Sequence, residues 1–221
     1  MIRILLFDLD DTLYPPGSGI MDELRNLIHG YIQTHLDLGP EEARALQRYY
    51  FQSYGTTMRG LQVEHRIDAE EFLAYVHEIP VHKYIRPNPE LDAALAQIPQ
   101  KKVVFTNASR EHAERVLERL GIRRHFERII DVRDVDYESK PQKMAYQRIC
   151  ELLDVRPQDC ALIEDNVRNL LPAKELGMIT VLVQDGHGKS DDDGVDYQIP
   201  RIEQIGQLFA PQPKHPAQGL T

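Results

Sequence analysis

Ile2-Arg-Ile-Leu-Leu-Phe-Asp8-Leu-Asp10-Asp-Thr12 is the stretch that decides the fold of this chain. Its first half is a short, continuous apolar run, the pattern of a strand buried on both faces of a parallel sheet. Its second half delivers two carboxylates, Asp8 and Asp10, into the loop that follows. Residues i and i+2 of an extended backbone point to the same side. Like charges crowded there resist joint ionisation unless a cation sits between them. Mg2+ answers that need, because it takes hard oxygen ligands from one or two carboxylates and completes its shell with water and phosphate. Taken alone, the same acids could cap a helix or decorate a turn, so the decision passes to the other strands.

Four further runs resemble the first: Lys101–Thr106, Glu127–Asp131, Asp159–Glu164 and Met178–Val183. Each is short, rich in Val, Ile or Leu, and continuous rather than alternating. Helical patterns lie between them. Ser109 is a good N-cap for Glu111–Leu120, whose Ala113, Val116, Leu117 and Leu120 keep a helical period, and Gly121 closes it. Pro141–Leu153 follows, with proline at the first helical position, where its missing N–H costs nothing. Leu170–Leu176 is shorter and is closed by Gly177. Such alternation predicts an α/β fold, a doubly wound parallel sheet with right-handed crossovers.

One connection is too long for a crossover: about 90 positions separate Thr12 from Lys102. It holds the helical patterns Ile20–Leu36, Glu41–Tyr54, Asp68–Ile79 and Pro89–Ile98. Residues 16–85 therefore read as an inserted α-helical subdomain, with Pro89–Ile98 returning to a core made of residues 1–15 and 86–210. Pro15–Gly19 and Pro80–Pro89 are its expected linkers. Gln184–Val195, rich in Gly and Asp, reads as a loop, and residues 211–221 as a disordered tail.

In an open α/β sheet, ligands bind outside the carboxyl ends of the strands. The first strand ends in Asp8 and Asp10. The second ends in Thr106-Asn-Ala-Ser109, hydroxyl and amide groups just before a helix N-terminus, a good seat for a phosphate oxygen. The fourth ends in Glu164-Asp165, followed by Asn169. Ser139-Lys140-Pro141 lies between the third and the fourth. Each group has a structural explanation of its own, as a strand end, a first-turn residue or a match to a helix dipole. Their convergence on one edge of one sheet favours a functional site.

These residues resemble the four motifs of the haloacid dehalogenase-like hydrolase superfamily: Asp8-Leu-Asp10-Asp-Thr12, Thr106-Asn107, Lys140-Pro141, and Glu164-Asp165 with Asn169. The resemblance covers about residues 1–14 and 86–183, and the insertion matches the family's helical cap in position. Leu9–Tyr14, Tyr54–Leu61 and Glu164–Asn169 look most like the pyrimidine 5′-nucleotidase branch. The resemblance implies that Asp8 is a nucleophile forming an aspartyl-phosphate. It implies that Asp10 is the general acid and base. Charge counting agrees, because three acids and a phosphate dianion outweigh Mg2+ and Lys140, so the site works best if Asp10 enters protonated. Mg2+ would be held by Asp8, the Asp10 main-chain carbonyl and Asp165. Thr106, Asn107 and Lys140 would bind the phosphate, with Asn169 orienting Lys140 or Asp165. Glu164 is expected either to orient a metal-bound water or simply to start the next segment, and Asp11 only to hydrogen-bond within its loop. An acid at Asp10 together with Asp165 points to phosphoryl transfer rather than dehalogenation. In the cap, Thr56, Thr57 and Arg59 are expected to face substrate, whereas Tyr49, Tyr50 and Phe51 read as core.

The expected activity is a Mg2+-dependent phosphatase acting on a small phosphorylated metabolite, with pyrimidine nucleoside 5′-monophosphates first. Sugar-phosphate phosphatase, phosphomutase and a catalytically silent partner-binding module are the alternatives. Composition agrees with a small anionic substrate rather than a polymer. The 221 residues carry a net charge of −9 without a block of Lys and Arg, which disfavours nucleic-acid binding. No apolar run is long enough to span a bilayer and no signal-peptide pattern opens the chain. Two cysteines, Cys150 and Cys160, fit buried thiols, so a cytoplasmic location is expected. Nine histidines without HxxxH pairing or Cys/His clustering give no expectation of zinc.

Overall fold

The structure is a computed structural model, and residues 1–184 and 194–211 are described. The main part of the Gln184–Val195 loop and residues 212–221 of the expected tail lie outside the described residues. Six parallel strands form one sheet: β1 (Ile4–Phe7), β2 (Lys101–Phe105), β3 (Arg128–Ile130), β4 (Cys160–Glu164), β5 (Ile179–Val183) and β6 (Tyr197–Ile199). Their order is β3-β2-β1-β4-β5-β6. The first five are the strands expected from the apolar runs. The sixth, Tyr197-Gln-Ile199, has a polar residue at its centre and only Ile199 buried, so it shows no continuous apolar run.

The continuity of the apolar runs has a direct cause in the packing. On β1, Leu5 and Phe7 join one buried cluster with Val104 of β2 and Ile163 of β4. Ile4 and Leu6 join a second cluster on the other face, with Val103 and Leu162. Both faces of the sheet are covered by helices, so apolar residues dominate both. The first face is covered by α5 (Pro89–Ala96) and α6 (Arg110–Leu120), which contribute Leu91, Leu95, Val116 and Leu117. The second is covered by α7 (Lys143–Leu153) and α8 (Val167–Glu175), which contribute Tyr146, Ile149, Leu170 and Ala173. Burial of a side chain such as these stabilises by about 1.5–3 kcal/mol each.

Between β1 and α5 the chain forms α1 (Ile20–Leu36), α2 (Pro40–Tyr54), α3 (Thr57–His65) and α4 (Ala69–Val76). These helices build their own buried cluster around Tyr31, Ile32, Tyr50, Leu61, Phe72 and Leu73. Three expectations in this region and beyond need correction. Residues 57–65, which none of the expected helices covered, are helical, with the Thr56 hydroxyl accepting a hydrogen bond from the Arg59 N–H as N-cap. Helix α4 stops at Val76 instead of running to Ile79; its Asp68 cap accepts from the N–H groups of Glu70 and Glu71. Helix α7 begins at Lys143, not Pro141. Residues Ser139–Gln142 form a turn closed by the Gln142 N–H donating to the Ser139 carbonyl at 2.8 Å. That turn is what aims Lys140 inward. Among the described residues no helix is long and apolar enough to cross a membrane.

Candidate active site

The sheet changes winding direction between β1 and β4, so the crevice of an open α/β sheet falls between their carboxyl ends. Asp8 is the first residue after β1, and its N–H continues the ladder by donating to the Ile163 carbonyl at 2.9 Å. Asp165 follows β4 directly. One hydroxyl ties the two loops together. Thr12 Oγ1 donates to Asp8 Oδ2 at 2.9 Å and accepts the Asp165 N–H at 3.1 Å.

Lys140 is 1% exposed and lies in the midst of these acids. Its Nζ donates to Asp8 Oδ1 at 2.6 Å and to Glu164 Oε1 at 3.1 Å, and stands 5.2 Å from the centroid of the Phe105 ring. Burial pulls its ammonium pKa down, but the carboxylates of Asp8 and Glu164 outweigh that and hold it above the ordinary range. Glu164 is thereby explained. Its Oε1 also accepts from Asn169 Nδ2, and its Oε2 accepts the Asn166 N–H at 2.7 Å, so it anchors the lysine. Asn169 consequently acts on Glu164, not on Lys140 or Asp165 directly.

Asn107 lines the cavity, and its side chain has a use besides the phosphate contact expected of it. Its Oδ1 accepts the Lys140 N–H at 2.9 Å and its Nδ2 donates to the Lys140 carbonyl at 3.0 Å. The amide thus clasps the backbone of the lysine from both sides. Thr106, 2% exposed, accepts the Ala108 N–H at 3.0 Å and keeps its hydroxyl at the crevice.

Oxygen atoms of Asp8, Glu164 and Asp165 lie within 4.8 Å of one another. Burial first, and then the neighbouring acids, push Asp8 up to about 7 and Asp165 up to about 6. Three hard oxygen donors that repel one another fit a divalent cation such as Mg2+. Glu164 accepts three hydrogen bonds and Asp8 two, whereas Asp165 accepts only a long one from Thr12 at 3.4 Å, so Asp165 is the acid most open to a ligand and Asp8 the next. A ligating carboxylate must shed its proton, so metal binding here is proton-linked. The raised values put that linkage between pH 5.5 and 8. The melting temperature should therefore rise more on adding Mg2+ at pH 8 than at pH 5.5. An equal rise at both pH values, followed by differential scanning fluorimetry, would contradict the assignment.

Asp10 stands apart from that trio. Tyr14 Oη donates to its Oδ1 at 2.6 Å, and His112 Nε2 donates to the same oxygen at 3.1 Å. Burial raises the Asp10 pKa, but His112 and the Tyr14 hydrogen bond outweigh it and hold the carboxyl below its usual range. These donors favour the ionised form before substrate arrives, whereas the expectation that Asp10 enters protonated refers to the site holding a phosphate dianion. Asp11 adopts a left-handed φ of 59°, which aspartate tolerates in tight loops. Burial and the Asp10 charge raise it to about 6.

Above these groups opens a cavity of about 680 Å3, lined on the far side by α1, α2 and α4. Thr56 and Thr57 line it. Arg59 does not, and its guanidinium pairs with Glu138 at 3.3 Å. Of the three aromatics expected in a core, only Tyr50 is buried. Tyr49 is 55% exposed, and Phe51, at 48%, forms part of the cavity wall. Arg168 lies over the Phe51 ring and donates to the Phe51 and Gln52 carbonyls, each at 3.0 Å. Sequence reading also missed Tyr14, His77, His112 and Arg168. For His112 a signal existed: it falls on the apolar stripe of α6, four residues before Val116.

A family model described as haloacid dehalogenase-like hydrolase matches residues 2–177. The chain belongs to the haloacid dehalogenase-like hydrolase family. This hydrolase is 27% identical to a glyceraldehyde 3-phosphate phosphatase of Methanopyrus kandleri, over 93% of its own length and 96% of the relative's. It is 24% identical to a phosphoglycolate phosphatase of Chromobacterium violaceum, over 94% and 96% of the two chains. Among solved structures, a HAD phosphatase from Thermococcus onnurineus shares its fold with a TM-score of 0.62 at 20% identity, covering 94% of this chain and 98% of that one.

Proposed function

We propose that this phosphomonoesterase hydrolyses pyrimidine nucleoside 5′-monophosphates through an aspartyl-phosphate on Asp8, with residues 16–85 acting as a cap over the crevice. Family membership and full-length phosphatase relatives support phosphate-ester hydrolysis. The observation that carries the substrate class is the cavity. Its volume of about 680 Å3 lies within the range of about 300–1,000 Å3 common for pockets that enclose a whole drug-sized ligand. Beyond the phosphate seat, Phe51 brings an aromatic ring to the cavity wall, with Arg168 over it, and Asn26 and Gln47 bring amide groups suited to the edge of a base.

In the first half-reaction an Asp8 carboxylate oxygen attacks phosphorus, the bond from phosphorus to the leaving oxygen breaks, and a proton on Asp10 passes to that oxygen. In the second, water attacks phosphorus, gives its proton to Asp10, and releases Asp8. Lys140 neutralises the Asp8 side of the site, and Thr106 offers its hydroxyl to an equatorial oxygen. A Mg2+ held by Asp8 and Asp165 would supply charge neutralisation at the phosphoryl group. The arriving phosphate dianion adds negative charge beside Asp10, which raises its proton affinity and loads it for its acid role.

A second reading is favoured by the relatives: a short phosphorylated sugar or acid, as the phosphatases named above take. A panel decides between them. Uridine and cytidine 5′-monophosphates are expected to give kcat/KM at least about tenfold above glyceraldehyde 3-phosphate and phosphoglycolate, a difference of about 1.4 kcal/mol. The reverse order would replace the nucleotide with the smaller substrates. Phosphomutase activity would instead appear as dependence on a bisphosphate with little phosphate released. A silent binding module would release none.

A further inference from the structure

His112 lies in the first turn of α6, 102 positions from Asp10 in sequence, and is completely buried. A buried imidazole needs a reason to be there, and here its Nε2–H points at one oxygen of the Asp10 carboxylate. Tyr14, also completely buried, points its hydroxyl at the same oxygen. The two donors occupy Asp10 Oδ1. Among the described residues Oδ2 accepts no hydrogen bond, and Asp10 lines the cavity.

The imidazole is itself supported. His77, which follows α4, stacks on it with ring centroids 4.9 Å apart and planes 24° from parallel. The His77 carbonyl accepts from Arg115 of α6 at 2.6 Å, which fixes the stack. Burial, reinforced by His112, pushes His77 down to about 3 and keeps it neutral. Among the described residues the Nδ1 atoms of both histidines are buried and unpartnered. The single polar contact that His112 makes through its ring is therefore the one to Asp10.

We propose that His112 is a positioning residue for the proton transfer made by Asp10. With Tyr14 it closes Oδ1, so that Oδ2 alone faces the leaving oxygen and carries the proton in both half-reactions. The proposal rests on the reading of Asp10 as acid and base, and the test separates the two. Positioning of a general acid matters most for a poor leaving group, and general acid catalysis contributes about 10²–10⁴-fold. Phenyl phosphate and p-nitrophenyl phosphate are close in size but differ in leaving-group basicity.

H112L keeps the volume roughly and removes the donor. It is expected to lower kcat/KM, which reports the first half-reaction alone, on phenyl phosphate by about 30-fold or more and on p-nitrophenyl phosphate by less than about fivefold, within the range available to a general acid. H112Q, whose amide N–H can replace Nε2–H, is expected to recover most of the loss on phenyl phosphate. D10N serves as reference and should show the same leaving-group split, more strongly. If D10N shows the split and H112L loses equally on both substrates, or nothing, the proposal about His112 is overturned and the role of Asp10 stands. If D10N shows no split, the acid role of Asp10 itself falls, and His112 with it. Should H112L fail to fold, H112N against H112Q gives the same contrast. The shorter Asn amide should leave phenyl phosphate turnover impaired, and equal activity of the two would overturn the proposal.

Discussion

Asp8→Asn should abolish turnover, with kcat falling by about 10⁴-fold or more, the scale on which loss of a nucleophile acts. The fold should survive. Asp8 sits at the end of β1, 7% exposed, held by Thr12 and Lys140. An asparagine there can still accept from Lys140 through its carbonyl and donate to Thr12 Oγ1 through its amide. The change also removes one of the carboxylates whose ionisation burial opposes. Loss of activity without loss of melting temperature therefore isolates the chemistry. Trapping of the phosphorylated chain with substrate should succeed for the native sequence and fail for the variant. Turnover above about 1% of native, under conditions that exclude deamidation, would end the covalent mechanism; nucleophile removal is expected to cost far more than that.

Lys140→Met should damage both stability and rate. It replaces a fully buried ammonium with an apolar chain of similar length and leaves Asp8 and Glu164 facing each other in the interior. Breaking a buried ion pair by removing one partner costs about 3–5 kcal/mol. The sign with pH follows from the carboxyls left behind. Burial raises both Asp8 and Glu164 above their unfolded values even with the lysine present. Such groups bind more protons folded than unfolded, so the penalty grows as pH rises and shrinks as they protonate. Lys140→Met should thus lie closest to the native protein near pH 5 and furthest from it near pH 8. Its kcat should fall by about 10²–10³-fold, as when one preorganised donor to a developing anion is removed. Urea denaturation at the two pH values checks the stability side. A variant equally stable at pH 8 would show that the lysine is not the counter-ion that holds these acids together.

Much of this was legible in the chain itself. The strands could be read because burial on both faces of a parallel sheet demands an unbroken apolar run, and that demand is local. Asp8, Thr106, Lys140 and Asp165 could be read for a related reason: chemistry in this architecture collects where strands end. The helical insertion followed from the length of the connection and the stripes along α1 and α4.

What the tertiary structure decided lies in contacts between residues far apart in sequence, which no local pattern encodes. Nothing in the spacing of Asn107 and Lys140 says that the Asn107 amide holds the lysine's backbone. Arg59 looks like a substrate contact until Glu138 arrives beside it. Glu164 could have been a metal ligand, a water-holder or the start of the next segment, and only the position of Lys140 turns it into an anchor. Counting the charges around Asp10 says when it takes a proton, but not that two donors, one four residues away and one on another helix, hold its Oδ1 before substrate arrives. Residue type and spacing thus determined which groups gather at the sheet edge. Which oxygen each donor reaches, and so which groups react and which merely hold them, was set by packing, because a hydrogen bond depends on positions to within a fraction of an ångström and sequence spacing carries no such information.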